Sequence, residues 1–122
     1  AALLLTSCAK VEAQATPVTD TLTWVLPTQN TDGSALPAAS IAKTTIVWGT
    51  ASGGPYTAGT QDVAAPATSL SLTRSSTGVG TRCYKASVTT TTAAGGQQSQ
   101  WSTEACKTVV APPNAPTGLS VQ

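Results

Sequence analysis

Two cysteines, Cys83 and Cys106, carry the most definite chemistry in this sequence, because two thiols brought together in an oxidising compartment become a disulfide. A third cysteine, Cys8, lies far upstream in an apolar segment. Histidine is absent, which removes the usual general base near neutral pH. The acids Glu12, Asp20, Asp32, Asp62 and Glu104 fall on different segments, and no two make a local pair suited to hydrolysis. Asp32 and Asp62 read as turn and loop residues rather than metal ligands. Two thiols without histidine or a Cys-x-x-Cys pair do not complete a tetrahedral zinc site within one chain. The glycines never take the spacing of a phosphate loop or dinucleotide fingerprint. The expectation is a chain that is not an enzyme and has no cofactor, no metal and no evident small-molecule substrate.

The cysteines need a scaffold that brings them together, and the stretch from Thr81 to Val110 supplies one. Tyr84, Ala86 and Val88 alternate with Cys83, Lys85, Ser87 and Thr89, so one face of this strand is apolar. Ala93-Ala94-Gly95-Gly96 reads as the tip of a hairpin whose second arm runs from Trp101 to Val110. A turn centred on the glycine pair places residue 83 opposite 106, 84 opposite 105 and 88 opposite 101. Ala105, Thr103 and Trp101 then join the apolar face, and both cysteines fall on the opposite one. Opposite residues of an antiparallel pair approach disulfide distance, which predicts a Cys83 to Cys106 bridge. The competing reading is two buried free thiols. The bridge would close a loop of about twenty residues and contribute about 3 kcal/mol.

Composition agrees with a β protein. The chain has 122 residues, of which 40% are hydrophobic, 4% aromatic and 9% charged, with a formal net charge of +1. One lean core is possible, built without Phe or Met. Thr, Ser, Ala, Gly and Pro dominate, which suits strands and their connections. The six basic residues are spread along the sequence, so nucleic acid is not an expected partner.

Three regions follow: an N-terminal segment 1–20, a domain 21–110 and a tail 111–122. The first opens on Ala-Ala-Leu-Leu-Leu-Thr-Ser-Cys, like the end of a secretory signal. Leu5-Thr6-Ser7-Cys8 resembles a bacterial lipobox, by which Cys8 would carry a lipid anchor. Ala13-Gln14-Ala15 offers a competing signal-peptidase site with a mature start at Thr16. The alternative is a retained apolar arm through Leu3, Leu4 and Leu5, too short to span a membrane. Within the domain, strands are expected over Thr21 to Leu26, with Leu22, Trp24 and Leu26 inward, and over Ile41 to Trp48. Two more are expected over Tyr56 to Val63 and over Ser69 to Thr73, with Leu70 and Leu72 inward. Arg74 to Gly80 reads as a polar connection. Trp24 reads as core, as do Trp48 and Trp101 in preference to a sugar-stacking platform. The tail is a stiff linker, Ala111 to Pro116, followed by a strand-like Thr117 to Gln122.

From about Thr21 to Val110 the order of motifs resembles a fibronectin type III domain. The resemblance rests on Leu22-Thr23-Trp24, on Ile46-Val47-Trp48-Gly49-Thr50 followed by Gly53-Gly54-Pro55-Tyr56, on Tyr84-x-Ala86-x-Val88, and on Ser99-Gln100-Trp101-Ser102. Pro113 to Val121 is similar to the linker and first strand of another such domain. This resemblance implies an all-β immunoglobulin-like sandwich of about seven antiparallel strands with extended arms, and Tyr84 at the family's tyrosine corner. Arg74 to Gly80 lacks the Leu-x-Pro-Gly turn of that corner, and no Arg-Gly-Asp motif occurs. Fold analogy supplies architecture and no ligand.

Two functions are expected from these features. One is a non-catalytic exported structural or interaction module of a bacterial surface protein or lipoprotein, extracytoplasmic and serving protein partners. The other is a self-assembling subunit of a phage particle or extracellular filament. It would pair with copies of itself through Leu3, Leu4 and Leu5 or through Leu119 and Val121.

Overall fold

The computed structural model describes residues 17–74 and 79–121. The chain forms an all-β sandwich of two antiparallel sheets. Six strands are described: β1 (Thr19–Thr23), β2 (Ile41–Gly49), β3 (Gly59–Ala64), β4 (Ser69–Thr73), β5 (Gly80–Thr90) and β6 (Ala105–Val109). β1 pairs with β4 in the smaller sheet, and the larger has the order β3-β2-β5-β6.

Threonine explains much of the smaller sheet. Odd residues of β1 face outward, where Thr19 meets Thr73 and Thr21 meets Ser71 through hydroxyls 3.3 and 3.4 Å apart. Even residues face inward, so Asp20 and Leu22 look across at the other sheet opposite Leu72 and Leu70. The inward alternation continues past the strand: Trp24 and Leu26 are half-buried and Val25 is exposed.

The centre of the larger sheet holds the core. Thr44, Ile46 and Trp48 of β2 lie opposite Val88, Ala86 and Tyr84 of β5. Ile46 is 1% exposed, and Trp48 packs at 46° to Tyr84 with ring centroids 6.0 Å apart. β3 begins at Gly59, later than Tyr56, because the loop before it folds back over the sheet. Gly59 lies flat beneath Trp48, where a Cβ would stand 2.1 Å from Cζ2 of the indole.

The hairpin keeps its predicted register at the open end and loses it toward the tip. Cys83 pairs with Cys106 and Tyr84 with Ala105, but Thr89 bridges to Gln98, and Val88 bonds to Ser99 rather than standing opposite residue 101. Two extra residues are therefore absorbed on the second arm. Serine hydroxyls are the cause. Ser102 Oγ accepts the N–H of Ala86 and Ser99 Oγ accepts that of Val88, each at 3.0 Å, in place of ladder carbonyls. The arm consequently becomes a strand only at Ala105, and Trp101 sits at the surface, 43% exposed, not in the core. Ala105 and Thr103 are exposed as well.

Candidate functional site

Cys83 and Cys106 form a disulfide between neighbouring strands, with their Cα atoms 4.0 Å apart. The expectation that both cysteines lie on a solvated face holds only for Cys106. Cys83 is fully buried, because the loop after β2 doubles back over it. Gly49 allows that approach: a Cβ there would lie 2.1 Å from the carbonyl oxygen of Pro55.

Glu104 fastens the loop to the hairpin. Its carboxylate accepts the N–H of Gly53 at 2.7 Å and the hydroxyl of Tyr56. The Tyr56 hydrogen bond, followed by that of Gly53, pulls its carboxyl down to about 2. Lys85 Nζ stands 4.8 Å from the centroid of the Tyr56 ring. Ligand atoms of Cys83, Glu104 and Cys106 lie within 4.8 Å of one another, but the bridge consumes both sulfurs and leaves no thiolate to bind a metal.

On the inner side of β5 a buried polar network joins the two sheets. Arg74 Nε donates to Asp20 Oδ2 at 2.9 Å, and the hydroxyl of Tyr84 donates to the same oxygen. Arg74 also donates to the carbonyls of Gly80 at 2.7 Å and Lys107 at 2.9 Å. Lys107 Nζ approaches Asp20 Oδ1 at 3.5 Å. Burial acts to raise the Asp20 pKa, but the hydrogen bonds from Tyr84 and Arg74 and the two cations outweigh it, so the carboxyl stays below its ordinary value. Burial, then the bond to Asp20, pushes the Tyr84 phenol up. The Tyr84 hydroxyl thus reaches a side chain of the opposite sheet, unlike a tyrosine corner, which bonds to nearby upstream backbone.

Beside this network the sandwich is open along one seam. A groove of about 340 Å³ lies between residues 20–23 and residues 105–107, floored by Tyr84. A second, of about 220 Å³, follows between Trp24, Val25 and Pro27 on one wall and Ser99, Gln100 and Ser102 on the other. Trp24 Nε1 and Thr44 Oγ1 line it, buried and without hydrogen-bond partners.

The remaining expected residues are scattered. Asp32 caps its own turn, accepting from the N–H of Ser34 at 2.9 Å and its hydroxyl at 2.6 Å. Asp62 lies in β3 rather than in a loop, bonded to Lys43 at 2.9 Å and Thr45 at 2.8 Å. Leu119 and Val121 are 90% and 97% exposed on a tail that forms no strand. Cys8 and Leu3, Leu4 and Leu5 lie outside the described residues. No helix among the described residues is long and apolar enough to cross a membrane. Sequence reasoning missed the Asp20–Arg74 pair, since the partners are 54 residues apart and Arg74 stands in what reads as a polar connection. Comparisons with family models, curated proteins and solved structures find no match.

Proposed function

We propose that this chain is a non-catalytic structural or interaction module working outside the cytoplasm, as part of a bacterial surface protein or lipoprotein. The observation that carries the reading is the Cys83–Cys106 bridge, since structural disulfides persist in oxidising compartments. The order β3-β2-β5-β6 facing a β1-β4 pair supports the resemblance to a fibronectin type III domain. Glu104 and Asp20, the two acids with the most partners, are held by structural hydrogen bonds to the Gly53 loop and to the opposite sheet.

A second reading, a self-assembling subunit of a particle or filament, is favoured by one feature. The tail carries Val110, Leu119 and Val121 to solvent, and fully exposed apolar side chains in alternation suit an extended segment that pairs elsewhere. Intact mass of the native protein, before and after reduction, combined with N-terminal peptide mapping, tests the first reading. An acyl adduct on Cys8 or a start at Thr16, with a mass gain of two hydrogens on reduction, is the expected result. A chain with free thiols and unprocessed Leu3 to Leu5 contradicts it.

A further inference from the structure

The hydrogen-bond phase of β1 identifies an edge that no strand among the described residues uses. Trp24 N–H donates to the Thr68 carbonyl at 3.0 Å, and Arg74 N–H donates to the Val18 carbonyl at 2.7 Å. Residues of an antiparallel pair alternate between exchanging both main-chain bonds and exchanging none. In the register of β1 with β4, even residues from Val18 to Trp24 therefore face β4. Thr19, Thr21 and Thr23 direct their N–H and C=O groups the opposite way, and no main-chain bond among the described residues engages them. Those groups border the open seam, whose walls are 20–27 on one side and 99–107 on the other.

Resting on the self-assembly reading, we propose that this edge receives the C-terminal segment of a second copy. Thr117–Val121 of one molecule adds as a strand to β1 of the next, with Leu119 and Val121 turned into the seam. Four observations select this occupant. The segment has five residues, the length of β1. From Thr108 to Gln122 the sequence carries no charged side chain, and the two that line the seam, Asp20 and Lys107, already pair with each other at 3.5 Å, so the pairing buries no unpaired ion. None of the tail residues 110–121 is buried on its own domain. Pro112, Pro113 and Pro116 keep the linker extended, at about 3.1 Å per residue, which carries the segment outward.

Gly118 has φ 74°, so one residue must turn to the extended region when the strand pairs, a change glycine makes at little steric cost. Donor and acceptor are different surfaces, so the contact is heterologous and propagates head to tail into an open series.

Sedimentation equilibrium of the full chain at rising concentration tests this, with two variants. Leu119→Asp with Val121→Asp disables the donor on an exposed tail that cannot unfold the domain. Thr21→Pro removes an edge N–H that β4 does not use. The wild type is expected to form a ladder of oligomers, and each variant alone to shift association to concentrations at least about tenfold higher. Mixed together, the variants should form a 1:1 dimer that grows no further, because one retains the edge and the other the tail. Oligomers insensitive to the tail variant overturn this pairing while leaving self-assembly standing. A wild type that stays monomeric overturns both, and the tail variant alone decides the matter if Thr21→Pro disturbs β1.

Discussion

The hydroxyl of Tyr84 on β5 donates to the carboxylate of Asp20 on β1, so one polar contact ties the two sheets together at the end of the open seam. Arg74 completes the tie from the end of β4, and all three side chains are buried. Tyr84→Phe should lower unfolding free energy by about 1.5–3 kcal/mol, the usual loss for a hydrogen bond to a charged group. Asp20→Asn removes the carboxylate charge that faces the buried Arg74 guanidinium and should cost more, about 3–5 kcal/mol. Urea denaturation followed by tryptophan fluorescence measures both. Equal small losses, within the range of surface substitutions, would show that the network is not structural.

The same carboxyl sets an acid limit. The folded-state pKa of Asp20 is depressed, so its contribution is present above the ordinary value of 3.8 and is lost as pH falls through the folded value. Glu104 adds a second loss between 4.5 and about 2. Tyr84 acts at the other end: its raised pKa means that stability is lost as pH climbs past 10. Unfolding midpoints from pH 2 to 11 should form a plateau with both shoulders, and Asp20→Asn should flatten the acid one.

Much of the fold was readable because apolar alternation and turn chemistry point the same way. Tyr84, Ala86 and Val88 fix the face of β5, and a glycine-centred tip gives the pairing of Cys83 with Cys106. The reading failed where side chains substitute for backbone. Ser99 and Ser102 accept N–H groups of β5 through their hydroxyls, shift the register by two and turn Trp101 outward. A period-two pattern carries no trace of such a substitution. Tyr56 and Glu104 were equally hidden, since only the reversal of the chain at Gly53 and Gly54 brings the loop onto the hairpin.

Reduction of the bridge should be costly yet not unfolding by itself. With the partners 23 positions apart in the sequence, the loop-closure account gives about 3 kcal/mol. A reducing agent should therefore lower the urea midpoint without erasing the cooperative transition. A midpoint unchanged by reduction would mean that the strand pair holds its register without the bond.

Gly49, beneath the backbone of the Pro55 loop, offers a sharper test of packing. Gly49→Ala places a methyl against the backbone carbonyl of Pro55, which cannot swing aside as a side chain can. The loop should lift, costing about 1–3 kcal/mol and releasing the Gly53 amide from Glu104. An amide resonance of Gly53 that keeps its hydrogen-bonded shift in the variant would refute this arrangement.

Amide hydrogen exchange of the full chain, read residue by residue at low and high protein concentration, tests the outward edge of β1 most directly. Leu22 and Trp24 should be protected at both, because their N–H groups face β4. Thr19, Thr21 and Thr23 should exchange quickly when dilute and slow markedly as the protein is concentrated. Protection of these three amides that is equally strong at every concentration, or absent at every concentration, would contradict the account.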